Sequence, residues 1–434
     1  MVGAGIVGAA VARELAVRGV AATLLDRGAV SSGTTGLGEG NVLCSDKDAG
    51  PELELARAGL ASYEELEQRL GDEARIRRKG ALIVHPDADT WAAEPARLER
   101  IAIPGARRIG ADEVREREPE LTGELQGASF FPADLQCDPR AIARALAREA
   151  AEAGATVRER CAVEAVVTGG AASRAGAAPR AGAAPRGAAS CAGAAPRGAA
   201  SRAAAAPRAG SAHGIGVRLA GGEIVRARAV VIAAGPWSAA LAASAGVELP
   251  VEPRKGQLVQ LAAPAPGLIR HKVVDGSYMR SVASGDAGLE LSTVVETTWD
   301  GDVLVGSSRE RRGFDTAVDG GLSAALVERA ARLFPRLARL PVAGEWAGLR
   351  PWLPGGLPAI GPSAVVPGVW LATGHEGAGV ALGPVTGRLI AQLYAGEPPV
   401  VDPAPFDPDR FAGRSGPRPI AAHVASADQS SEQP

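Results

Sequence analysis

The sequence is poor in aromatic residues, methionine and cysteine. Phe, Trp and Tyr together make up 3% of 434 residues, and there are two methionines. The four cysteines, Cys44, Cys137, Cys161 and Cys191, form no C-x-x-C pair, and none has a histidine at ligand spacing. That excludes a disulfide framework and a self-contained zinc or iron–sulfur site, so no metal is expected and a reduced, cytoplasmic chain is. Net charge is lacking too. The formal value is −2, which gives no argument for nucleic acid or an acidic membrane as partner. No apolar run reaches bilayer length without Gly, Pro or a charge, so no transmembrane segment is expected. A basic, then apolar leader is not expected either, because a glycine motif stands at the first residues.

What is present is 56 glycines, 32 prolines and a hydrophobic share of 46%, which suits a soluble globular chain of two or three domains. "GIVGAAVARELAVRG" has apolar residues at helical spacing and stops at Gly19, and "VAATLLD" is a short strand ending in Asp26. "PELELARAGLASYEELEQRL" is a helix opened by Pro51, and "GALIVHP" is a strand stopped by Pro86. "DPRAIARALAREAAEAG" is a helix with Asp138 as N-cap, Pro139 at the first position and Gly154 at the end. "TVRERCAVEAVV" reads as one strand, and "GIGVRLAGGEIVRARAVVIAAG" as two strands about a Gly-Gly turn. Residues 169–212 repeat "AGAAPR" three times with no acid and no large apolar side chain. They are expected to be a disordered, basic hairpin loop; an anion- or partner-binding arm is the functional alternative. From about residue 250, "RKGQLVQL", "GSYMR", "LELSTVV" and "DGDVLVGSS" predict a mostly antiparallel sheet, and "LSAALVERAARLFPRL" a helix. "VWLATG" is a strand with "GPVTGRLIAQLYAG" as the helix behind it, and the polar end of the chain is expected to be partly disordered.

Gly3-x-Gly5-x-x-Gly8 opens the first helix, and Asp26 closes the strand that follows. Gly3 permits the tight turn, Gly5 lets the backbone approach a pyrophosphate, and Gly8 lets helix and strand pack closely. The helix N-terminus then faces the pyrophosphate, and the acid accepts from a ribose. The motif does not by itself separate NAD from FAD. "SSGTTGLGEGNV" offers hydroxyls and amides along an extended cofactor, or is an ordinary surface loop. "VVIAAGPWS" places Gly235 at the end of a buried strand, and Gly374 to Gly379 form a second amide-rich loop before a helix. The first strand of such a fold runs to about five residues, and Met1 and Val2 supply only its last fragment. The expectation is a start inside a longer strand, or a sheet short of one pairing that binds its cofactor weakly.

The segments "GAGIVGAAVARELAVRG", "PRKGQLV", "WAGLRPWLPGGLPAIG" and "ATGHEGAGVALGPVTGRLIA" resemble the D-amino acid oxidase-like superfamily, of the glycine and sarcosine oxidase type. "GEGNVLCSDKDAGPELELA" and "GSSRERRGFD" look more like the β-type subunits of opine and hydroxyproline dehydrogenases. The resemblance implies an α/β fold. A discontinuous Rossmann-like FAD-binding domain (1–80, 138–250 and 341–402) joins a substrate domain (81–137 and 251–340) with a mixed, largely antiparallel sheet, before a tail at 403–434. It implies hydride transfer from a small amino or imino acid to flavin N5, the substrate being of D-amino acid, hydroxyproline or opine type. The alternatives are an oxygen-dependent, glycine-oxidase-like deaminase and a non-catalytic FAD-holding subunit. A partner subunit with an iron–sulfur centre or second flavin is the implied electron acceptor of the subunit form. Sarcosine oxidases attach FAD through a cysteine in the C-terminal half, whereas no cysteine here lies beyond Cys191. Non-covalent FAD is therefore expected.

Within these segments the expected cofactor-lining residues are Gly3, Gly5, Ile6, Val7, Gly8, Asp26, Arg27, Ser32, Thr34, Thr35, Gly40 and Asn41. Later in the chain they are Val163, Ala234, Gly235, Trp237, Gly374, Gly377, Ala378, Gly379 and Val380. The resemblance places Arg350 where related enzymes hold a substrate carboxylate, a task suited to a planar, permanently charged fork. Tyr278 either reaches the substrate or packs in the sheet. His375 and Glu376 stand in the loop before the last helix, and Glu376 either meets a substrate ammonium or is a solvated carboxylate. A second carboxylate-binding arginine is missing after His375, which puts glycine in question as the substrate. His271 is read as structural. Arg254 and Lys255 line the cofactor side or form a surface turn, and Trp346 and Trp352 are core or pocket walls.

Overall fold

Val2 stands at the centre of a parallel sheet. Its N–H donates to Val231 O and its carbonyl accepts from Ala233 N, both at 2.9 Å; on the other side Gly3 N reaches Leu25 O at 2.8 Å and Leu25 N reaches Met1 O at 3.0 Å. Val2 thereby bridges two strand pairs. One is β1 (Thr23–Leu25) with β8 (Thr156–Arg158), parallel. The other is β12 (Val230–Ile232) with β19 (Val369–Thr373), parallel, to which β18 (Ala359–Pro362) adds antiparallel. The computed structural model describes residues 1–169, 214–276 and 285–412. The Ala/Gly/Pro/Arg tract with Cys191, the segment holding Tyr278, and the tail beyond 412 lie outside the described residues.

Helix α1 (Ile6–Val17) leaves the glycine turn and is buried along most of its length. The helix α8 (Gly379–Ala395) crosses it at close approach. A Cβ on Gly387 would lie 2.6 Å from the Ala10 carbonyl carbon, and one on Gly383 would lie 3.1 Å from Ile6 Cγ2. Small residues thus bring the two helices together. The other flank of α1 is covered by α5 (Pro139–Glu152). Its N-cap, Asp138, accepts from Arg140 N and Ala141 N at 2.9 and 3.1 Å. Helix α2 (Pro51–Leu70) packs on α8, where Gly59 lies against Ala381 O.

Two readings of the sequence are corrected here. "TVRERCAVEAVV" is two strands in different sheets, because the chain reverses at Arg160 (φ 54°). Arg160 N and Cys161 N bond back to Gly28 O and Asp26 O at 3.0 and 2.6 Å. The chain then leaves the parallel sheet as β9 (Val163–Val167), which pairs with β10 (Ile215–Leu219). The stretch read as two strands is three: β10, β11 (Ile224–Ala227) and β12. β11 is largely exposed, whereas β12 is buried throughout, as a central parallel strand must be.

The second layer is an eight-stranded sheet. Its order is β17 (Val342–Trp352), β13 (Glu252–Leu261), β16 (Val303–Arg309), β15 (Glu290–Thr297), β14 (Lys272–Asp275), β4 (Ala81–His85), β6 (Gly127–Phe131) and β5 (Arg107–Gly110). All neighbours are antiparallel except β14 with β4. β17 begins two residues after the expected domain boundary at 340, yet it is hydrogen-bonded along its length into this sheet. Helix α7 (Gly320–Leu333) covers one face, with Leu326, Val259 and Val305 in a shared core. Helices α3 (Ala88–Ile101) and α4 (Ala111–Arg117) flank the β4–β6–β5 end, and α6 (Ser238–Ser244) follows β12. A small sheet of β2 (Asn41–Val42), β7 (Leu135–Cys137) and β3 (Ile76–Arg77) joins the layers. Among the described residues no helix is long and apolar enough to cross a membrane.

Candidate active site

Three neighbouring strands of the large sheet carry arginines on one face. Arg350 on β17 is the cross-strand partner of Arg254 on β13. Lys255 bridges Glu310, which sets Gly256 beside Arg309 on β16. Alternate residues share a face, so Arg254, Gly256, Arg309 and Arg350 point the same way and Lys255 points the other. Gly256 leaves room for the Arg350 guanidinium: a Cβ there would lie 2.5 Å from Cζ and 2.6 Å from Nη2. Arg350 Nη1 donates to Ser308 O at 3.0 Å. Arg254 and Arg309 are only 1% and 2% exposed. Arg254 Nη2 pairs with Glu290 at 3.1 Å, and Arg309 Nη1 lies 3.4 and 3.5 Å from the Ser292 and Ser307 hydroxyls. Arg254 is therefore a buried strand residue of the site and not part of a surface turn.

The loop after β19 faces this row. Glu376 adopts a left-handed backbone (φ 45°). Its Oε1 lies 3.7 Å from Arg254 Nη1 and 3.6 Å from Arg309 Nε, and its Oε2 accepts from Gly377 N–H. Burial pushes the Glu376 carboxyl up, but Arg309, Arg350 and Arg254 together outweigh it and hold the group below its ordinary value. Glu376 is thus an ion-paired carboxylate and not a solvated one. Gly377 is exposed and open toward Arg350, whose Cδ and Nε would be 3.7 Å from a Cβ there. His375 belongs to the interior instead. It is 4% exposed, its Nε2 meets Thr386 Oγ1 of α8 at 3.0 Å, and burial pushes its pKa down to about 4.

The third wall is the loop from Thr34 to Asn41. Thr34 Oγ1 donates to Leu349 O at 2.7 Å and Trp346 Nε1 to Leu37 O at 3.1 Å, tying this loop to β17 beside Arg350. Glu39, a residue the sequence reading passed over, pairs with Lys272 Nζ at 3.2 Å and accepts from Asn41 Nδ2 at 2.8 Å. Burial raises its pKa, but Lys272, Arg350 and Arg309 outweigh that and hold it low. Asn41 also donates to Glu296 at 2.9 Å, and Glu296 pairs with Lys79 at 2.5 Å. Lys272 lies in no quoted motif, whereas Glu39 lies in "GEGNVLCSDKDAGPELELA" and Arg309 in "GSSRERRGFD", segments whose resemblance did not single either residue out.

The remaining expected residues fall at two helix ends and the loops around them. Gly3 (φ 103°) turns beneath Ala233, where a Cβ would lie 2.8 Å from the carbonyl carbon. Ile6 N donates to Thr35 Oγ1 at 3.1 Å, and Val7 and Gly8 follow in the first turn of α1. Neither α1, capped by Gly5, nor α8, capped by Ala378, has a side-chain cap or an acid in its first turn. Two uncapped N-termini side by side suit a pyrophosphate and a flavin edge that gains negative charge. Asp26 accepts from Ala4 N at 2.6 Å and Gly28 N at 2.7 Å and keeps acceptor sites for a ribose. Arg27 stacks on Trp237 at 3.8 Å, next to Gly235, whose carbonyl accepts from Thr373 Oγ1 at 3.1 Å. Ser32 is exposed on the loop after β1. Gly40 (φ 86°) presses on the Cys137 carbonyl, Gly374 on Leu353, and Val380 O accepts from Tyr63 at 2.8 Å. Gly379 begins α8, Val163 begins β9, and Ala234 packs on the core beneath β12. His271 Nδ1 lies 2.7 Å from Glu118, on the side of β14 and β4 away from Arg350.

A dinucleotide cradle made from segments near both ends of the chain, facing a cationic sheet, defines a dinucleotide-dependent oxidoreductase. A family profile described as FAD dependent oxidoreductase (DAO) matches residues 1–211 and 197–393, and the chain belongs to that family. It is 30% identical over 421 residues to a glycine oxidase of Pseudomonas aeruginosa, covering 95% of this chain and 98% of that one. It is also 33% identical over 194 residues to a D-amino acid dehydrogenase of Bradyrhizobium diazoefficiens, covering 44% and 42%. The structure of glycine oxidase from Geobacillus kaustophilus superposes with a TM-score of 0.75 at 27% identity, over 95% of this chain and 98% of that one. The cofactor of the family is FAD, and the residues at the two helix ends fit it.

Proposed function

We propose that the protein oxidises the C–N bond of a small amino or imino acid, with Arg350 gripping the substrate carboxylate. The observation that supports this reading is the Arg350 guanidinium, laid over Gly256 and open toward Gly377. When bound, FAD supplies the acceptor for the hydride leaving the substrate α-carbon. The protein's own groups position and shield. The planar fork of Arg350 fixes the carboxylate in two bonds and so orients the α-carbon. Ser308 O and the missing Gly256 side chain hold that fork in place. Glu376 offsets the charge of the neighbouring guanidiniums. The segments 1–80, 138–250 and 353–402 are assigned to the cofactor domain, with β17 added to the substrate domain. FAD is held without a covalent link, so acid precipitation releases flavin from the polypeptide; flavin remaining on it overturns that point.

The test is anaerobic mixing of the holoprotein with D-proline, hydroxyproline isomers, sarcosine, glycine and opines. Flavin bleaching by one of them is expected, and bleaching by none sinks the reading. For the substrate so found, Arg350→Ala is expected to raise KM about 100-fold or more with the flavin spectrum intact. A second reading, an oxygen-using glycine oxidase, is favoured by the likeness to glycine oxidases. Bleaching that reverses at once when air is admitted supports it.

A further inference from the structure

We infer that a cleft at the far end of the large sheet binds a small organic anion, its carboxylate or phosphate held by Arg77, Lys79 and Arg270 and its flat body laid on Trp299. The cleft has a volume of about 380 Å³. It opens where β15 turns into β16, beside the starts of β4 and β14. Arg309 closes the opposite end of β16, the length of that strand away, or about 20 Å. The cleft is therefore separate from the site at Arg350, and the inference does not rest on the proposed function. The turn itself is set locally: Thr298 N donates to Asp302 O at 2.7 Å and Gly301 N to Thr298 O at 3.2 Å, which fixes the hairpin tip that carries Trp299.

The cations of the cleft have donors to spare. Arg77 is pinned by Nε to Gln136 Oε1 at 2.6 Å and by Nη2 to the carbonyls of Thr297 and Thr298 at 2.5 and 2.7 Å. Among the described residues no carboxylate pairs with it, and both N–H groups of Nη1 are left over. Burial lowers its pKa, and the charge of Glu296 does not offset that. The Lys79 side chain is 7% exposed and gives one of its three protons to Glu296 at 2.5 Å. Glu296 is shared with Asn41 and Gln136 at 2.9 and 3.1 Å. Arg270 is exposed, and its Nη1 stands 3.5 Å from two carbonyl oxygens, those of Glu116 and Arg117. Asp300 is the one carboxylate of the lining, and it is exposed at the hairpin tip. A pinned guanidinium beside an underused ammonium suits an oxyanion, because little order remains to be gained on binding. An oxyanion alone does not fill the space, which is of the size that takes an organic molecule. Trp299 is 38% exposed, with Arg77 and Arg75 at 5.4 and 6.0 Å from its ring, and Ile269 and Pro266 extend the apolar wall. An open indole face among guanidiniums takes a flat body by stacking.

The experiment is calorimetric titration of the FAD-loaded protein with phenyl phosphate, benzoate, benzyl alcohol and inorganic phosphate. At least one aryl anion is expected to bind tenfold or more tightly than both benzyl alcohol and inorganic phosphate. The tighter of the two aryl anions identifies the headgroup as phosphate or carboxylate. Arg270→Gln and Trp299→Ala change exposed side chains and spare the fold, and each is expected to weaken that binding threefold or more. Arg77→Gln is expected to weaken it tenfold or more; if that variant does not fold, the two exposed ones decide. The binding should persist in Arg350→Ala, which separates the cleft from the flavin site. Aryl anions that bind no more tightly than benzyl alcohol overturn the inference, as does affinity unchanged in both Arg270→Gln and Trp299→Ala. Binding lost in Arg350→Ala but kept in Arg270→Gln belongs to the flavin site and overturns it too. Inorganic phosphate binding as tightly as phenyl phosphate overturns the role given to Trp299.

Discussion

Gly256→Ala tests the site with a single methyl group. The added Cβ would sit 2.5 Å from Arg350 Cζ and 2.6 Å from Nη2, and closer still to Nη1. Comfortable contact begins near 3.5 Å, so the guanidinium must retreat by about 1–1.5 Å. It can do so, because the three atoms nearest the methyl group all belong to the end of a flexible side chain. The cost to the fold is the bond from Arg350 to Ser308 O, about 1–2 kcal/mol, partly offset by replacing a glycine within a strand. The cost to catalysis is larger. A misplacement of about 1 Å in a positioning group lowers the rate about 100-fold, which is about 2.7 kcal/mol of transition-state stabilisation. The assay is kcat/KM by flavin reduction beside the denaturant midpoint and the flavin spectrum. A loss of about 100-fold with a near-native midpoint is expected. Unchanged kinetics in a folded variant would refute the placing of the substrate carboxylate on Arg350. A collapse of the midpoint would refute the claim that only the side chain moves.

Gly8→Ala meets backbone: its Cβ would overlap the Gly3 carbonyl, with the carbon at 3.0 Å. Neither part can swing aside, so a loss of about 1–3 kcal/mol is expected, together with a lower ratio of flavin absorbance to protein; full FAD content and an unchanged midpoint would contradict the cradle. His375 supplies a pH test. Burial lowers its pKa from 6.5 to about 4, so between these values the unfolded chain binds a proton that the folded chain does not. Its stabilising share is present above pH 6.5 and is lost as the pH falls toward 4, by about 3 kcal/mol. Asp134 has the opposite sign, since burial raises its carboxyl to about 6. The difference between the protein and His375→Gln isolates the histidine. The fall in denaturant midpoint from pH 7 to 4.5 should be smaller in the variant than in the protein, and an identical slope in both would contradict a neutral, buried ring.

The sequence by itself determined the elements whose causes are local. The glycine turn into α1, the Asp138 cap of α5, the Pro51 start of α2 and the Gly396 end of α8 each rest on hydrogen bonds or backbone angles within a few residues. Asp26 at the close of β1 was legible for the same reason. Strand partnership was not. "TVRERCAVEAVV" keeps one apolar rhythm, yet changes sheets at Arg160, because the bonds that turn it go to Gly28 and Asp26, more than a hundred residues away. The arginine row is the extreme case. Arg254, Arg309 and Arg350 have no common motif, and Gly256 looks like a weakness in its strand. Only the register of β17, β13 and β16 sets the three guanidiniums on one face and lays Arg350 over the glycine. Pairing in a sheet is a bond between distant parts of the chain, so the sequence specified the cofactor cradle, and the tertiary structure decided what faces it.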